Sequence, residues 1–126
     1  FQLYNVSPKK TLQIKKKFKK KIISAIQINR STDIYNYKKY LDIADIILFD
    51  SKGYEKSVGF DHTFLKEVPR SIKGMLAGNI KYNQNLDKLA KITDIIDISG
   101  SLETRKKKDI SKINVFLKNV NKVGRK

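Results

Sequence analysis

The chain has 126 residues, of which 40% are hydrophobic, and it contains no cysteine. This length suits one domain or part of one. The lack of cysteine excludes a disulfide, a thiolate zinc site and a cysteine nucleophile among these residues. No stretch approaches the roughly 18 apolar residues of a membrane span, and the first residues do not resemble a signal peptide. We therefore expect a cytoplasmic protein with no membrane partner.

The net charge of +16 is large and comes mainly from lysine. Such a charge suits a nucleic acid, an anionic membrane or a phosphorylated substrate. Arginine, which reads base edges and clamps phosphates through two parallel hydrogen bonds, is scarce. The tyrosines also do not alternate with basic residues, as they would in a strand that stacks bases. We therefore expect no specific nucleic-acid partner, and the charge instead suits a small phosphorylated anionic substrate.

The chain begins with Phe1, and its single methionine is Met75. An intact translated chain begins with methionine unless it is processed. We therefore expect the sequence to be a piece of a longer protein.

Strand-like and helix-like patterns alternate along the chain. A short apolar stretch at residues 1–3 precedes a helix that Ser7 caps and Pro8 begins, running to about Lys19. The elements predicted next are a strand over 22–28, a helix over 31–41, a strand over 46–50, a helix over 62–68, a strand over 73–79, a helix over 83–91 and a strand over 93–99. Asp109 caps a last helix, whose apolar residues recur at spacings of three and four: Ile110, Ile113, Phe116, Leu117, Val120 and Val123.

This alternation of strand and helix predicts an α/β fold with a parallel sheet and right-handed crossovers. Two architectures fit about five βα units. One is part of a (β/α)8 barrel, and the other is a small five-stranded doubly wound sheet. The amino-acid composition does not distinguish these two architectures.

Two aspartates lie at or near the ends of predicted strands. Asp50 ends an apolar strand and opens a polar loop, where ligands bind in α/β proteins, although an aspartate there can also simply cap a turn. Asp97 interrupts an Ile-Ile-Asp-Ile run and points to the same side of its strand as Ser99. An inward acid is costly unless it has a partner, so Asp97 is interpreted as functional.

Two turns of small residues follow consecutive strands, at residues 77–79 (Ala-Gly-Asn) and 99–101 (Ser-Gly-Ser). Glycine allows close backbone approach, and free N–H groups in such turns can hold a phosphate. Either turn alone is better explained by an ordinary connection between strand and helix, whereas their occurrence after consecutive strands supports a phosphate site. For His62 and Glu103 we expect structural roles.

Several stretches resemble, in the same order, motifs of the phosphoribosylanthranilate isomerase family. Residues 47–51 (Ile-Leu-Phe-Asp-Ser) resemble its Leu-Leu-Asp-Ser strand end, residues 76–80 (Leu-Ala-Gly-Asn-Ile) its Leu-Ala-Gly-Gly-Leu turn, and residues 97–103 (Asp-Ile-Ser-Gly-Ser-Leu-Glu) its Asp-Val-Ser-Ser-Gly-Val-Glu segment. Gln2-Leu3, Gly59-Phe60-Asp61 and Lys108-Asp109 are similar to further family motifs. The resemblance is colinear over essentially all 126 residues.

The resemblance implies strands four to eight of a (β/α)8 barrel, with the first three βα units missing. It implies the Amadori rearrangement of N-(5-phosphoribosyl)anthranilate in tryptophan biosynthesis, without a metal or an organic cofactor. By the resemblance Asp50 is the general acid and Asp97 binds substrate. The remaining substrate-binding residues lie in the two turns: Gly78, Asn79, Ser99, Gly100 and Ser101.

The chain departs from the family pattern at the catalytic base. The family's catalytic base is a cysteine after strand one, and this chain has none. We therefore expect the fragment to be inactive alone, to need the missing βα units to close the barrel, and to self-associate through exposed strand edges. Two other interpretations stay open. One is another phosphate-binding barrel enzyme of the pathway or a fused bifunctional chain, and the other is a non-catalytic basic domain that binds nucleotide or nucleic acid.

Overall fold

The computed structural model describes residues 1–51 and 59–124. The polar loop predicted after Asp50, including the family-loop positions 55–58, falls largely outside the described residues. Five parallel strands form one sheet: β1 (Gln2–Tyr4), β2 (Ile23–Ile28), β3 (Ile46–Ser51), β4 (Gly74–Ala77) and β5 (Ile95–Asp97). A short antiparallel pair, β6 (Glu103–Thr104) and β7 (Lys107–Lys108), follows.

Helical segments connect the strands. Within residues 1–51 and 59–124, three are α-helices, α1 (Pro8–Phe18), α2 (Asp87–Ala90) and α3 (Ile110–Lys122), and three are 3-10 helices over Ser31–Tyr40, His62–Glu67 and Gly100–Leu102. The strands lie in sequential order, β1-β2-β3-β4-β5. Sequential order with right-handed crossovers puts every connection on one face, as in a barrel, whereas a doubly wound sheet reverses its order at a switch point. The five strands therefore have the arrangement of consecutive βα units of a barrel.

The caps predicted for the first and last helices are confirmed. The Ser7 hydroxyl accepts a hydrogen bond from the Lys10 N–H at 3.2 Å, and Pro8 occupies the first turn of α1. The Asp109 carboxylate accepts from the N–H groups of Ser111 and Lys112 at the start of α3. Each side chain satisfies backbone donors that have no partner within the helix.

The helix predicted over 31–41 is a 3-10 helix over Ser31–Tyr40. A 3-10 helix has three residues per turn, so side chains at that spacing lie above one another. Ile34 and Tyr37 are buried in the hydrophobic core, and Tyr40 packs against it, which matches that spacing. The helix predicted from the sequence is therefore present, and its burial pattern matches the tighter 3-10 form.

The helix predicted over 83–91 contracts to the four residues of α2. The Gln84 carboxamide accepts from the Lys81 N–H at 2.7 Å, and the Asn85 carboxamide accepts from the Asp87 N–H at 2.8 Å. Such bonds between side chain and backbone stabilise turns at the expense of helix. They account for the non-helical start of this segment.

The hydrophobic core lies between the sheet and its helices. Alternate strand residues point into it, and the largest fully buried members include Phe49, Ile28 and Leu76. The opposite face of the sheet carries Ile23, Ile46 and further apolar residues that are only partly buried. Among the described residues, no helix is long and apolar enough to cross a membrane.

The apolar stripe predicted for α3 is only partly buried. Phe116 packs into the core with 8% of its surface exposed. Ile110, Leu117 and Val120 remain 75%, 51% and 41% exposed, respectively. One side of α3 thus presents apolar surface to solvent.

Two aspartates bind the amino ends of the strands in the same way. The Asp45 carboxylate accepts from the Ile22 N–H at 2.7 Å and from Lys15 at 3.2 Å. The Asp94 carboxylate accepts from the Gly74 N–H at 2.9 Å and from Arg70 at 3.1 Å. In barrels this edge of the sheet serves stability, and the opposite edge carries the ligand site.

Candidate active site

A cavity of about 460 Å³ opens at the carboxyl ends of the strands. It is lined by all the site residues that the sequence predicted, namely Asp50, Gly78, Asn79, Asp97, Ser99, Gly100 and Ser101. The structure thus brings the two acids and the two small-residue turns to one place. Sequential parallel strands explain this convergence, because their carboxyl ends meet at one edge of the sheet.

Asp50 is the second-last residue of β3, is partly buried and lines this cavity. Burial raises the pKa of the Asp50 carboxyl, and the negative charge of Asp97 raises it further. Hydrogen bonds from the Ser51 N–H, at 2.8 Å, and from the Tyr4 side chain lower this pKa in part, but it stays above its ordinary value. A raised pKa keeps more of the acid protonated and available as a proton donor.

Asp97 lies at the end of β5, next to Ala77 of β4 in the strand register. The register also pairs Asp50 with Gln27 of β2. These four residues lie at or near the carboxyl ends of their strands, on the sheet face that bounds the cavity. Both carboxylates therefore face the same space, across the short β4 strand.

Gly78 forms a close contact between β4 and the end of β3. Its φ of +91° is in the left-handed region, and a Cβ added there would come within 2.9 Å of the Ser51 Oγ and 3.2 Å of an Asp50 carboxylate oxygen. Asn79 follows with a φ of +53°, which asparagine tolerates better than most residues. Two successive left-handed residues turn the chain sharply beside Asp50.

The second small-residue turn is held by side chains from neighbouring segments. The Ser101 Oγ accepts from the Tyr82 N–H at 2.7 Å, which joins the turn after β5 to the turn after β4. Lys108 donates to the Ser99 carbonyl at 3.1 Å, to the Ser99 hydroxyl at 3.0 Å and to the Glu103 carboxylate at 2.6 Å. Glu103 is therefore an ion-pair partner, as expected.

His62 also has a structural contact. Its Nε2 atom lies 2.9 Å from the carbonyl oxygen of Gly78, and its ring packs edge-on against Phe60. Gly59 has a φ of +63° and lies directly against the Asn79 side chain. The segment that contains Gly59 and His62 therefore contacts the turn after β4.

Sequence reasoning missed four polar residues that line the cavity: Tyr4, Gln27, Ser51 and Lys81. Each lies at or just beyond the carboxyl end of a strand, so the rule that pointed to Asp50 could have found them. The buried Ser51 hydroxyl has no hydrogen-bond partner within the part of the chain that the structure describes. No group of three or more acidic or histidine side chains in that same part could hold a metal ion.

Comparison with known sequences decides the family. A sequence profile described as N-(5'phosphoribosyl)anthranilate (PRA) isomerase matches residues 1–119. The chain belongs to the PRA isomerase family. The Agrobacterium fabrum N-(5'-phosphoribosyl)anthranilate isomerase is 32% identical over 124 residues, which cover 91% of this chain and 56% of that protein. The Petrotoga mobilis enzyme is 31% identical, over 89% of this chain and 57% of its own length.

The chain therefore spans a little over half the length of these PRA isomerases. Solved PRA isomerase structures share its fold. The Pyrococcus furiosus enzyme superimposes with a TM-score of 0.73 at 21% identity, covering 97% of this chain and 62% of that one. The Thermotoga maritima enzyme gives 0.70 at 18% identity, covering 97% and 72%. The predicted barrel architecture of about five βα units is confirmed.

A further PRA isomerase structure superimposes with a TM-score of 0.68 at 17% identity and covers 97% of this chain and 70% of that one. That protein is in complex with reduced 1-(o-carboxyphenylamino)-1-deoxyribulose 5-phosphate. The bound compound carries a phosphate and a carboxylate, so it is a small anion.

Proposed function

We propose that this chain contributes the general acid and the phosphate-binding turns of a PRA isomerase. The reaction converts the ribosyl aminoaldose of N-(5-phosphoribosyl)anthranilate into the ribulose aminoketose. The observation that carries the proposal is the placement of Asp50, with its raised pKa, in the same cavity as Asp97 and the two small-residue turns. Membership of the family supports the same reaction.

Asp50 begins the reaction by donating its proton to the ring oxygen of the ribose. The bond between C1′ and that oxygen breaks, the nitrogen lone pair forms a C1′=N bond, and the sugar opens as a protonated imine. A base then removes the C2′ proton. The electron pair of the C2′–H bond forms a C1′=C2′ double bond, and the C1′=N electrons return to nitrogen, which gives a neutral enolamine. The enolamine tautomerises to the ketose. Burial raises the pKa of Asp50 and so keeps the proton in place for the first step.

The two turns bind the substrate phosphate. Gly78 and Asn79 have left-handed backbone conformations, and such turns direct successive N–H groups at an anion. The Gly100–Leu102 helix begins at the second turn, next to Ser99. Barrels often hold phosphate between loops of this kind after their last two strands. Among the described residues, Lys81 is the one basic side chain that lines the cavity, and its charge attracts the same group.

Asp97 binds the anthranilate end of the substrate in this proposal. It lies across β4 from Asp50 and faces the same cavity. A carboxylate there accepts a hydrogen bond from the anthranilate amine. Its negative charge also stabilises the protonated imine that forms after ring opening.

The catalytic base is not a residue of this chain in the proposal. The family pattern has a cysteine base after the first barrel strand, and these residues contain no cysteine. We infer that the barrel closes with three further βα units, which pair with the free edges of β1 and β5. Such units would cover two surfaces. One is the sheet face opposite the hydrophobic core, with its partly buried apolar residues, and the other is the exposed apolar side of α3.

Genetic complementation tests the function. The full-length gene, which encodes this chain together with the further βα units proposed above, is introduced into a strain that lacks PRA isomerase, with and without Asp50→Asn. Asparagine is nearly isosteric and can still accept from the Ser51 N–H, but it cannot donate the acid proton. Loss of a general acid costs about 100- to 10,000-fold in rate, so the variant is expected to fail to restore growth without tryptophan.

Asp42→Asn is the matched control. Asp42 is exposed, does not line the cavity, and has a left-handed φ of +66° that asparagine also adopts. This variant is expected to rescue as well as the unchanged gene. Equal rescue by Asp50→Asn would show that Asp50 is not the acid, and no rescue by the unchanged gene would overturn the isomerase assignment.

A further inference from the structure

A chain of hydrogen bonds leads from Gln2 through Tyr4 to Asp50. The Gln2 Nε2 lies 2.9 Å from the Tyr4 hydroxyl oxygen, and the Tyr4 side chain is hydrogen-bonded to the Asp50 carboxyl. An amide nitrogen can only donate, so the phenol oxygen accepts from Gln2. Its single hydrogen is then left to donate to Asp50. The two partners thus fix the direction of both bonds.

The strand geometry makes this chain of bonds possible. Gln2 and Tyr4 are two residues apart on β1, so their side chains lie on the same face of the sheet. β2 lies between β1 and β3, and the long Tyr4 side chain reaches past it toward the end of β3. Tyr4 consequently lines the same cavity as Asp50.

The other groups around Asp50 come from three neighbouring segments. Asp97 of β5 contributes a negative charge, and the Ser51 N–H donates to one carboxylate oxygen. Gly78 packs its backbone against Asp50, and Lys81 lines the cavity beyond it. Tyr4 is the side-chain hydroxyl that donates to this acid.

We propose that Tyr4, oriented by Gln2, is a positioning residue that sets the orientation and the acid strength of Asp50. This inference rests on the proposed function, in which Asp50 gives a proton to the substrate. The Tyr4 hydroxyl binds the ionised carboxylate more strongly than the neutral acid, so it stabilises the form that remains after proton donation. It opposes burial and Asp97, which favour the neutral form, and keeps the acid strong enough to protonate a ring oxygen.

The titration of Asp50 tests this role without any need for turnover. The chain is produced with aspartate labelled by carbon-13 in its side-chain carboxyl, and the Asp50 resonance is assigned by its absence in Asp50→Asn. Its midpoint is followed by NMR in the unchanged chain and in Tyr4→Phe. Removal of the hydroxyl is expected to raise the midpoint by about half a pH unit to one unit.

Two further variants make the experiment specific. Gln2→Ala keeps the hydroxyl but removes the group that orients it, so a smaller rise is expected, and this variant alone carries the test if Tyr4→Phe does not fold. Tyr35→Phe is the control, because Tyr35 is an exposed tyrosine outside the cavity, and it should leave the midpoint unchanged. An Asp50 midpoint that stays constant or falls in both Tyr4→Phe and Gln2→Ala would overturn the proposal.

The outcomes separate this inference from the isomerase assignment. If Asp50→Asn abolishes complementation but the midpoint does not move in the Tyr4 and Gln2 variants, only the role of Tyr4 is wrong. If the midpoint rises while Asp50→Asn still complements, Tyr4 sets the acid strength of a residue that is not the catalytic acid. In an active protein, Tyr4→Phe should also move the alkaline fall of kcat to higher pH, because the acid stays protonated longer.

Discussion

Gly78 and Ser51 are so close that a Cβ atom on the glycine would lie 2.9 Å from the serine Oγ. The contact joins the turn after β4 to the end of β3, next to Asp50. Both residues also line the cavity. The position therefore requires glycine for two reasons, its left-handed φ and its lack of a Cβ.

Gly78→Ala is expected to destabilise the fold and to disturb the Asp50 carboxyl. A left-handed alanine and a contact shorter than van der Waals distance together cost roughly 2 kcal/mol in the free energy of unfolding. Urea denaturation measures that cost. Gly100→Ala is the control, because nothing lies within 4 Å of its added Cβ, and a similar loss in both variants would show that the close approach is unimportant.

The Asp45 carboxylate is expected to contribute to stability in a pH-dependent manner. Its hydrogen bond from the Ile22 N–H and its interaction with Lys15 lower the pKa of its carboxyl below the ordinary value of aspartate. The stabilisation is therefore fully present above the unfolded pKa and is lost as the pH falls through the lower folded value. Because Asp45 is exposed and solvent screens its interactions, Asp45→Asn should cost less than about 1 kcal/mol in the free energy of unfolding near pH 7 and nothing in strong acid.

Urea titrations between pH 2 and 7 check this behaviour. Glu67→Gln removes an exposed acid as the control and should change the free energy of unfolding little. If Asp45→Asn lowered stability by the same amount at every pH, the ionised carboxylate would not be the source of the effect.

Ser101→Ala is expected to loosen the two turns from each other. The Ser101 hydroxyl accepts from the Tyr82 N–H at 2.7 Å, and its loss leaves a partly buried donor without its partner. A cost of about 1 kcal/mol in the free energy of unfolding is expected, together with weaker binding of inorganic phosphate measured by calorimetry. Ser111→Ala, on the exposed face of α3, should change neither quantity. Unaltered phosphate binding in Ser101→Ala would show that this hydrogen bond does not contribute to the binding of phosphate.

The exposed edges and apolar surfaces are expected to make the chain self-associate. Sedimentation at rising concentration should show oligomers, and Leu117→Lys should reduce them, since Leu117 lies on the exposed apolar side of α3. Val115→Lys adds the same charge two residues away, on another side of the helix, and should reduce them less. A cooperative thermal transition from a dilute monomer would contradict the expectation.

Local sequence signals were sufficient for most elements and for the residues that line the cavity at the carboxyl ends of the strands. Ser7 and Asp109 indicated helix starts because capping is a local interaction. Asp50 and Asp97 were recognisable because each is a charged residue in an apolar strand sequence. The 3-10 character of Ser31–Tyr40 was not visible, because it depends on how Ile34 and Tyr37 pack against the sheet. The contact of Tyr4 with Asp50 was not visible for a similar reason, because it crosses an intervening strand.

The sequential order of the strands also bears on how the molecule forms. Within the five-stranded sheet of the described residues, every pair of neighbouring strands is consecutive in the chain, so each pairing closes only one crossover connection. Short closures cost little entropy and are associated with rapid folding. The sheet can therefore grow one βα unit at a time during synthesis, and the turns around Gly78 and Ser101 come together only after the last strand has joined.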